Sequence, residues 1–153
     1  MCPDAPAPPT AAARIEAAEK RRADRRAAAA GAREAQHATD LEALEALEVE
    51  HADSSLARLD LDRHVAGQPT FVILKTPGSA QYKRFVDQVS RAAEKSNMAG
   101  RREAQDLLAR SCWVYPAEAA QAAMLEHFPG LLVSIALRAS QLVEGKAEAE
   151  GKG

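Results

Sequence analysis

All six aromatic residues of this 153-residue chain (Phe71, Tyr82, Phe85, Trp113, Tyr115 and Phe128) lie after position 70. Aromatic and large aliphatic side chains supply most of the area that a core removes from water. Before position 49 the only branched aliphatics are Ile15, Leu41, Leu44 and Leu47. The core must therefore come from the second half, a unit of about 90 residues, near the small end for independent folding. Residues 1–50 are expected to lie outside it.

Residues 1–10 hold Pro3, Pro6, Pro8 and Pro9 among small side chains, which suits a disordered tail. Residues 11–50 are rich in Ala, Glu and Arg and predict a long, charged helical arm, frayed at Gly31. Its charge is split. Arg14, Lys20, Arg21, Arg22, Arg25 and Arg26 meet only Glu16, Glu19 and Asp24, while Asp40, Glu42, Glu45, Glu48 and Glu50 have no Lys or Arg among them. Leu41, Leu44 and Leu47 recur every three residues, drift around the helix and leave a short apolar stripe. The arm offers a means of self-association.

Residues 51–143 predict a compact, α-rich domain with an N-terminal β-hairpin. Leu56 to Leu61 alternates in part with period two, Gly67-Gln68-Pro69 marks a turn, and Thr70 to Leu74 is a β-branched and aromatic run. Such a hairpin is marginal alone and must pack on something. Four helices follow. Thr76-Pro77 resembles a helix start, and 79–95 carries Tyr82, Phe85, Val86, Val89 and Ala93 at helical spacing. Asn97 or Gly100 breaks the pattern before a second helix over 98–111 with Ala104, Leu107 and Leu108. Tyr115-Pro116 is expected to open a third, with Ala119, Ala120, Ala123, Met124 and Phe128 inward. The fourth, about 130–143, presents Leu131, Leu132, Ile135, Ala136, Ala139, Leu142 and Val143. Residues 144–153 are too polar to pack and are expected to form a disordered tail. The predicted class is mainly α: a short hairpin and a compact four-helix unit, preceded by a long helical arm.

The net charge of -2 and pI of about 6.1 create no global basic field toward nucleic acid or lipid. No apolar run approaches the roughly 18 residues of a membrane span, and MCPDAPAPPT lacks a secretory apolar stretch, so a cytoplasmic protein with two reduced thiols, Cys2 and Cys112, is expected. His37, His51, His64 and His127 stand far apart, and the Asp60-x-Asp62 pair reads as an exposed strand face, so no metal site is assigned. Cys112 lies between Ser111 and Trp113 with no His partner nearby, no Gly-rich loop cradles a phosphate, and no carboxylate pair stands beside an apolar run. No catalytic residue or cofactor is assigned, and the chain is not expected to be an enzyme. The Arg21-Arg22 and Arg25-Arg26 pairs suit a phosphate backbone, yet acidic residues intersperse and no aromatic is near to stack on bases. A solvated or partner-binding arm is the stronger reading.

From about 56 to 143 the chain resembles the tail assembly chaperones of long-tailed bacteriophages. The resemblance rests on order: a strand at Phe71–Leu74, Thr76-Pro77, a helix holding Tyr82-Lys83-Arg84-Phe85, then Cys112-Trp113-Val114-Tyr115-Pro116 and, one helix later, Phe128-Pro129-Gly130-Leu131. Residues 1–50 have no counterpart in that pattern. The resemblance implies a protein present in the host cytoplasm during assembly and absent from the mature virion. It would coat apolar stretches of the tape measure protein and help recruit the major tail protein. Many such proteins are made in two lengths by a programmed frameshift; Gly145-Lys146 and Gly151-Lys152 can be encoded by a slippery run, but an ordinary flexible tail is the stronger reading of those pairs. A chaperone for a helical client needs an apolar groove with modest affinity, and Phe128, Leu131, Leu132 and Ile135 are the candidate partner-binding residues. These four also suit a plain core. The alternatives are a structural or adaptor protein retained in the virion, and an Arg-rich nucleic-acid-associated regulator.

Overall fold

The computed structural model describes residues 10–150, and the order of elements is a 40-residue helix, a hairpin, two helices, a short strand and two more helices. The expected Pro-rich tail, Cys2 and the last three residues of the expected C-terminal tail lie outside the described residues. The mainly α class, the hairpin, the four-helix unit and the long arm are all present.

Helix α1 (Ala11–Glu50) starts at Thr10, whose hydroxyl oxygen accepts the Ala13 N–H at 3.3 Å. It passes Gly31 without a break, so the expected fraying there does not occur. Strand β1 (Leu56–Asp60) pairs antiparallel with β2 (Phe71–Lys75), with Leu56 opposite Lys75 and Asp60 opposite Phe71. A third strand that periodicity does not predict, β3 (Trp113–Tyr115), joins the far side of β2. Three residues are too few to show alternation, and Tyr115-Pro116 reads as a helix start; the helix proper begins two residues later.

Helix α2 (Ser79–Glu94) begins after Gly78, not at Thr76; the Thr76 hydroxyl instead donates to the Ser55 carbonyl at 3.0 Å, tying the ends of the hairpin together. Helix α3 (Met98–Cys112) is capped by Asn97, whose side-chain oxygen accepts the Gly100 N–H at 3.0 Å. Gly100 lies inside α3 where it crosses α2: a Cβ there would stand 2.8 Å from the Asn97 amide nitrogen and 3.4 Å from the Ala92 methyl. Helix α4 (Glu118–His127) is short, and α5 (Leu131–Glu150) runs past the expected end near 143.

Alternation along β2 sends Val72 and Leu74 to one face and Phe71 and Ile73 to the other. Val72 and Leu74 join Leu108, Ala109, Cys112, Trp113, Met124, Leu131, Leu132, Ile135, Ala136 and Ala139 in the main core. Phe71 and Ile73 are equally buried, and over Phe71 stands His37 of α1, edge-on at 5.8 Å between ring centroids. The arm therefore does not lie wholly outside the fold: its C-terminal half covers the second face of the sheet. Several inward assignments shift by one helix position. Ala92 is buried and Ala93 exposed, Gln121 is buried while Ala119 and Ala123 are exposed, and Val86 and Leu107 face solvent.

Candidate protein-binding surface

The four candidate residues do not form one surface. Leu131, Leu132 and Ile135 are buried in the chain's own core, because α5 turns the 131, 132, 135, 136 and 139 face toward β2 and α3. Phe128 is half-buried and packs against that core from its edge. It lies in the α4–α5 turn, where Pro129 and Gly130 end one helix and begin the next.

Phe128 and Leu131 line an open concavity of about 470 Å³ together with Leu59 and Leu61, contributed by the end of β1 and the residue that follows it. Leu59 and Leu61 are also partly buried against the core, so the floor is apolar. The rim is polar: Asp60, Asp62, Arg63 and His127. The Arg63 guanidinium stands 5.3 Å from the Phe128 ring centroid and donates to the His127 carbonyl, which fixes the position of one wall. Asp60 is paired with Arg58 at 2.5 Å. His64 is half-buried, and its Nδ1 has no hydrogen-bond partner among the described residues. Also among the described residues, no three His, Cys, Asp or Glu side chains are grouped to hold a metal ion.

A second apolar patch escapes sequence reasoning. Met98, Val133 and Leu137 are exposed on α3 and α5, with Met98, Val133, Arg101, Arg102 and Gln105 around a concavity of about 620 Å³. A continuous apolar run at the start of α5 does not disclose which side the body covers. Among the described residues no single helix is long and apolar enough to cross a membrane.

Among the described residues, the most constrained polar group is Asp40 of α1, which is completely buried. One carboxylate oxygen accepts the Thr70 N–H and the Thr70 hydroxyl, each at 2.6 Å. The other accepts the Gln36 amide at 2.9 Å and the Tyr115 hydroxyl at 2.7 Å. Burial works to raise the carboxyl pKa, but these four donors outweigh it and hold the pKa below its ordinary value. The same burial, with the carboxylate beside it, pushes the Tyr115 phenol up. Thr70 gives its single hydroxyl proton to Asp40, so its oxygen is left to accept from His37 Nδ1 at 3.0 Å. One carboxylate thus joins α1, the start of β2 and the end of β3. Asp40 is shut off from solvent and all four of its contacts run to residues of the chain itself, so the cluster acts as an anchor between these elements. Cys112 is also buried, and burial raises its thiol pKa, which disfavours the reactive thiolate.

Compared with protein families, curated proteins and solved structures, the chain matches none.

Proposed function

We propose that the chain is a tail assembly chaperone of the kind made by long-tailed bacteriophages, which binds an amphipathic segment of the tape measure protein in the concavity beside Phe128. The supporting observation is that concavity: an apolar floor of Leu59, Leu61, Phe128 and Leu131 inside a rim of Asp60, Asp62, Arg63 and His127. A groove of this size and make-up accepts the apolar anchors of one helix face, and the charged rim meets the polar flanks. The strand, helix and Phe-Pro-Gly order on which the family resemblance rests supports the same reading. In this reading the protein works in the host cytoplasm, aids recruitment of the major tail protein and is left out of the finished particle.

The test is capture of tape measure fragments by the full chain, set against Phe128→Lys. The wild type retains a fragment with an amphipathic helical stretch, and the substitution weakens that binding at least about tenfold, as loss of a buried aromatic anchor does. Equal binding by the variant overturns the assignment of the surface. Stoichiometric amounts of the protein in purified virions, measured by mass spectrometry, overturn the chaperone reading and favour an adaptor.

A further inference from the structure

Helix α1 is about 60 Å long, yet from Ala11 to Ala35 every residue except Ala18 is exposed. Its charges run against its own macrodipole. The first turn has no acidic residue and the last turn no basic one, while Glu48 and Glu50 sit at the negative end. Among the described residues the only ion pair is Arg58–Asp60, so the arm's charges are unpaired.

The two charged stretches also point in opposite directions. Arg22 precedes Asp40 by eighteen residues, about five full turns, and the same spacing relates Arg25 to Ala43 and Arg26 to Leu44. The arginines therefore project on the side from which Asp40 enters the body, but beyond the body's reach. Ile15, 61% exposed, lies on this face in line with Arg33, and Glu19 is the one acidic residue beside Arg22 and Arg26 there. Val49 follows Asp40 by nine residues, about two and a half turns, and points the other way. Leu41, Glu42, Glu45 and Val49 form one exposed patch on that outer side, acidic with an apolar centre, Val49 being 81% exposed.

We infer that the basic face of the arm, at Arg22, Arg25 and Arg26, docks on the acidic outer face, at Leu41, Glu42, Glu45 and Val49, of a second copy of this chain, and that copies join head to tail. Charge complementarity selects the occupant, since each face of the chain is matched by the other. A parallel lie, staggered by about twenty residues, puts Arg22 opposite Glu42 and Arg25 opposite Glu45, and keeps the partner's helix clear of the body, which α1 carries on the same side as Arg22 from Gln36 onward. The opposite directions of the faces decide the symmetry. Two copies cannot satisfy both faces in one reciprocal pair, because the partner would have to lie on both sides of the same helix. The contact is heterologous and builds a ring or an open string. This self-association does not depend on the client proposed above.

The experiment is light scattering with size exclusion on the full chain over a range of concentration, at low salt and at about 1 M salt, where the screening length falls to about 3 Å. The wild type grows beyond a dimer at low salt and shrinks at high salt. A basic-face variant (Arg22→Glu, Arg25→Glu, Arg26→Glu) and an acidic-face variant (Glu42→Lys, Glu45→Lys) each associate at least about tenfold more weakly. Mixed in equal amounts, the two reversal variants grow beyond a dimer again, because one contact is native and the other joins a reversed face to a reversed face; Arg→Gln and Glu→Gln versions at the same positions, mixed, stop at a one-to-one dimer. Circular dichroism confirms that each is folded, and Arg→Gln and Glu→Gln versions at the same positions serve where a reversal is not. A wild type that stays monomeric, a two-fold dimer indifferent to both variants, or large species that absorb as nucleic acid each overturn the proposal.

Discussion

Replacing Asp40 with Asn keeps the shape of the side chain and removes its charge, and the structure sets the expected cost. Four donors converge on the carboxylate from 2.6 to 2.9 Å. The amide offers one acceptor oxygen and turns an NH2 group toward donors that face the other side, so at least two donors lose their acceptor. Leaving a buried donor unpaired costs about 1–3 kcal/mol, and a bond to a charged group contributes about 1.5–3 kcal/mol. The four bonds are coupled and do not add; a total loss of about 3–5 kcal/mol is expected, the scale of removing one partner from a buried charge pair. Domains of this kind are stable by about 5–15 kcal/mol, so the variant is expected to stay folded with α1 held less firmly to the sheet.

Trp113 is the reporter. It is the single tryptophan of the chain, it is buried, and its indole donates to the Tyr115 carbonyl at 2.7 Å, next to the residue whose hydroxyl reaches Asp40. With a urea slope of about 1–3 kcal/mol/M, the midpoint of Asp40→Asn falls by roughly 2 M. The dependence on pH follows from the depressed carboxyl pKa. The stabilisation is complete above the unfolded pKa, near about 4, and is lost as pH falls through the lower folded value. The gap between wild type and variant therefore narrows only below about pH 4. Tyr115→Phe removes one donor, costs about 1–2 kcal/mol and keeps the pH dependence, and the double mutant shows coupling between the sites. A midpoint of Asp40→Asn unchanged from wild type, or a gap that stays constant into acid, refutes the reasoning.

Ile135 is fully buried against β2 and α3, and Ile135→Ala is expected to cost about 2–5 kcal/mol in a urea or thermal melt; the same change at exposed Leu137 shifts the midpoint little. In a Cys2→Ser background, Cys112 is expected to react with a thiol reagent only at the rate of unfolding at neutral pH, because burial raises its pKa; mass spectrometry of labelled protein with and without denaturant checks this.

Much of the fold is legible because the physics is local. The Gly67-Gln68-Pro69 turn, the helical spacing of α2 and α5, and the Pro129-Gly130 stop each declare themselves within a few residues. What escapes is decided by contacts distant in the chain. The Phe71–Leu74 run is apolar at every position, a pattern that marks burial on both faces of a strand rather than one; that pattern implies a covering element, here α1. Strand β3 forms because β2 offers it an edge, which nothing within Trp113–Tyr115 announces. Asp40 belongs by composition to the acidic stretch from 40 to 50. By position it belongs with Gln36, Leu44 and Leu47 on one helix face, all of them at least partly buried. For the candidate surface, periodicity finds the apolar face of α5 but cannot say that this chain itself covers Leu131, Leu132 and Ile135 and leaves Phe128 at the edge.

That the anchor is polar has consequences for the rest of the molecule. The arm lacks large apolar residues over most of its length, and a face built of Ala and a few Leu residues permits it to rotate or slide. Hydrogen bonds are directional, and four of them on one carboxylate fix the rotation of α1 about its own axis. That rotation determines which way Arg22 and Arg25 project and that Glu45 and Val49 face outward. Asp40→Asn therefore separates the two proposed surfaces: head-to-tail association weakens as α1 loosens, while binding at the Phe128 concavity, built from β1 and the α4–α5 turn, persists.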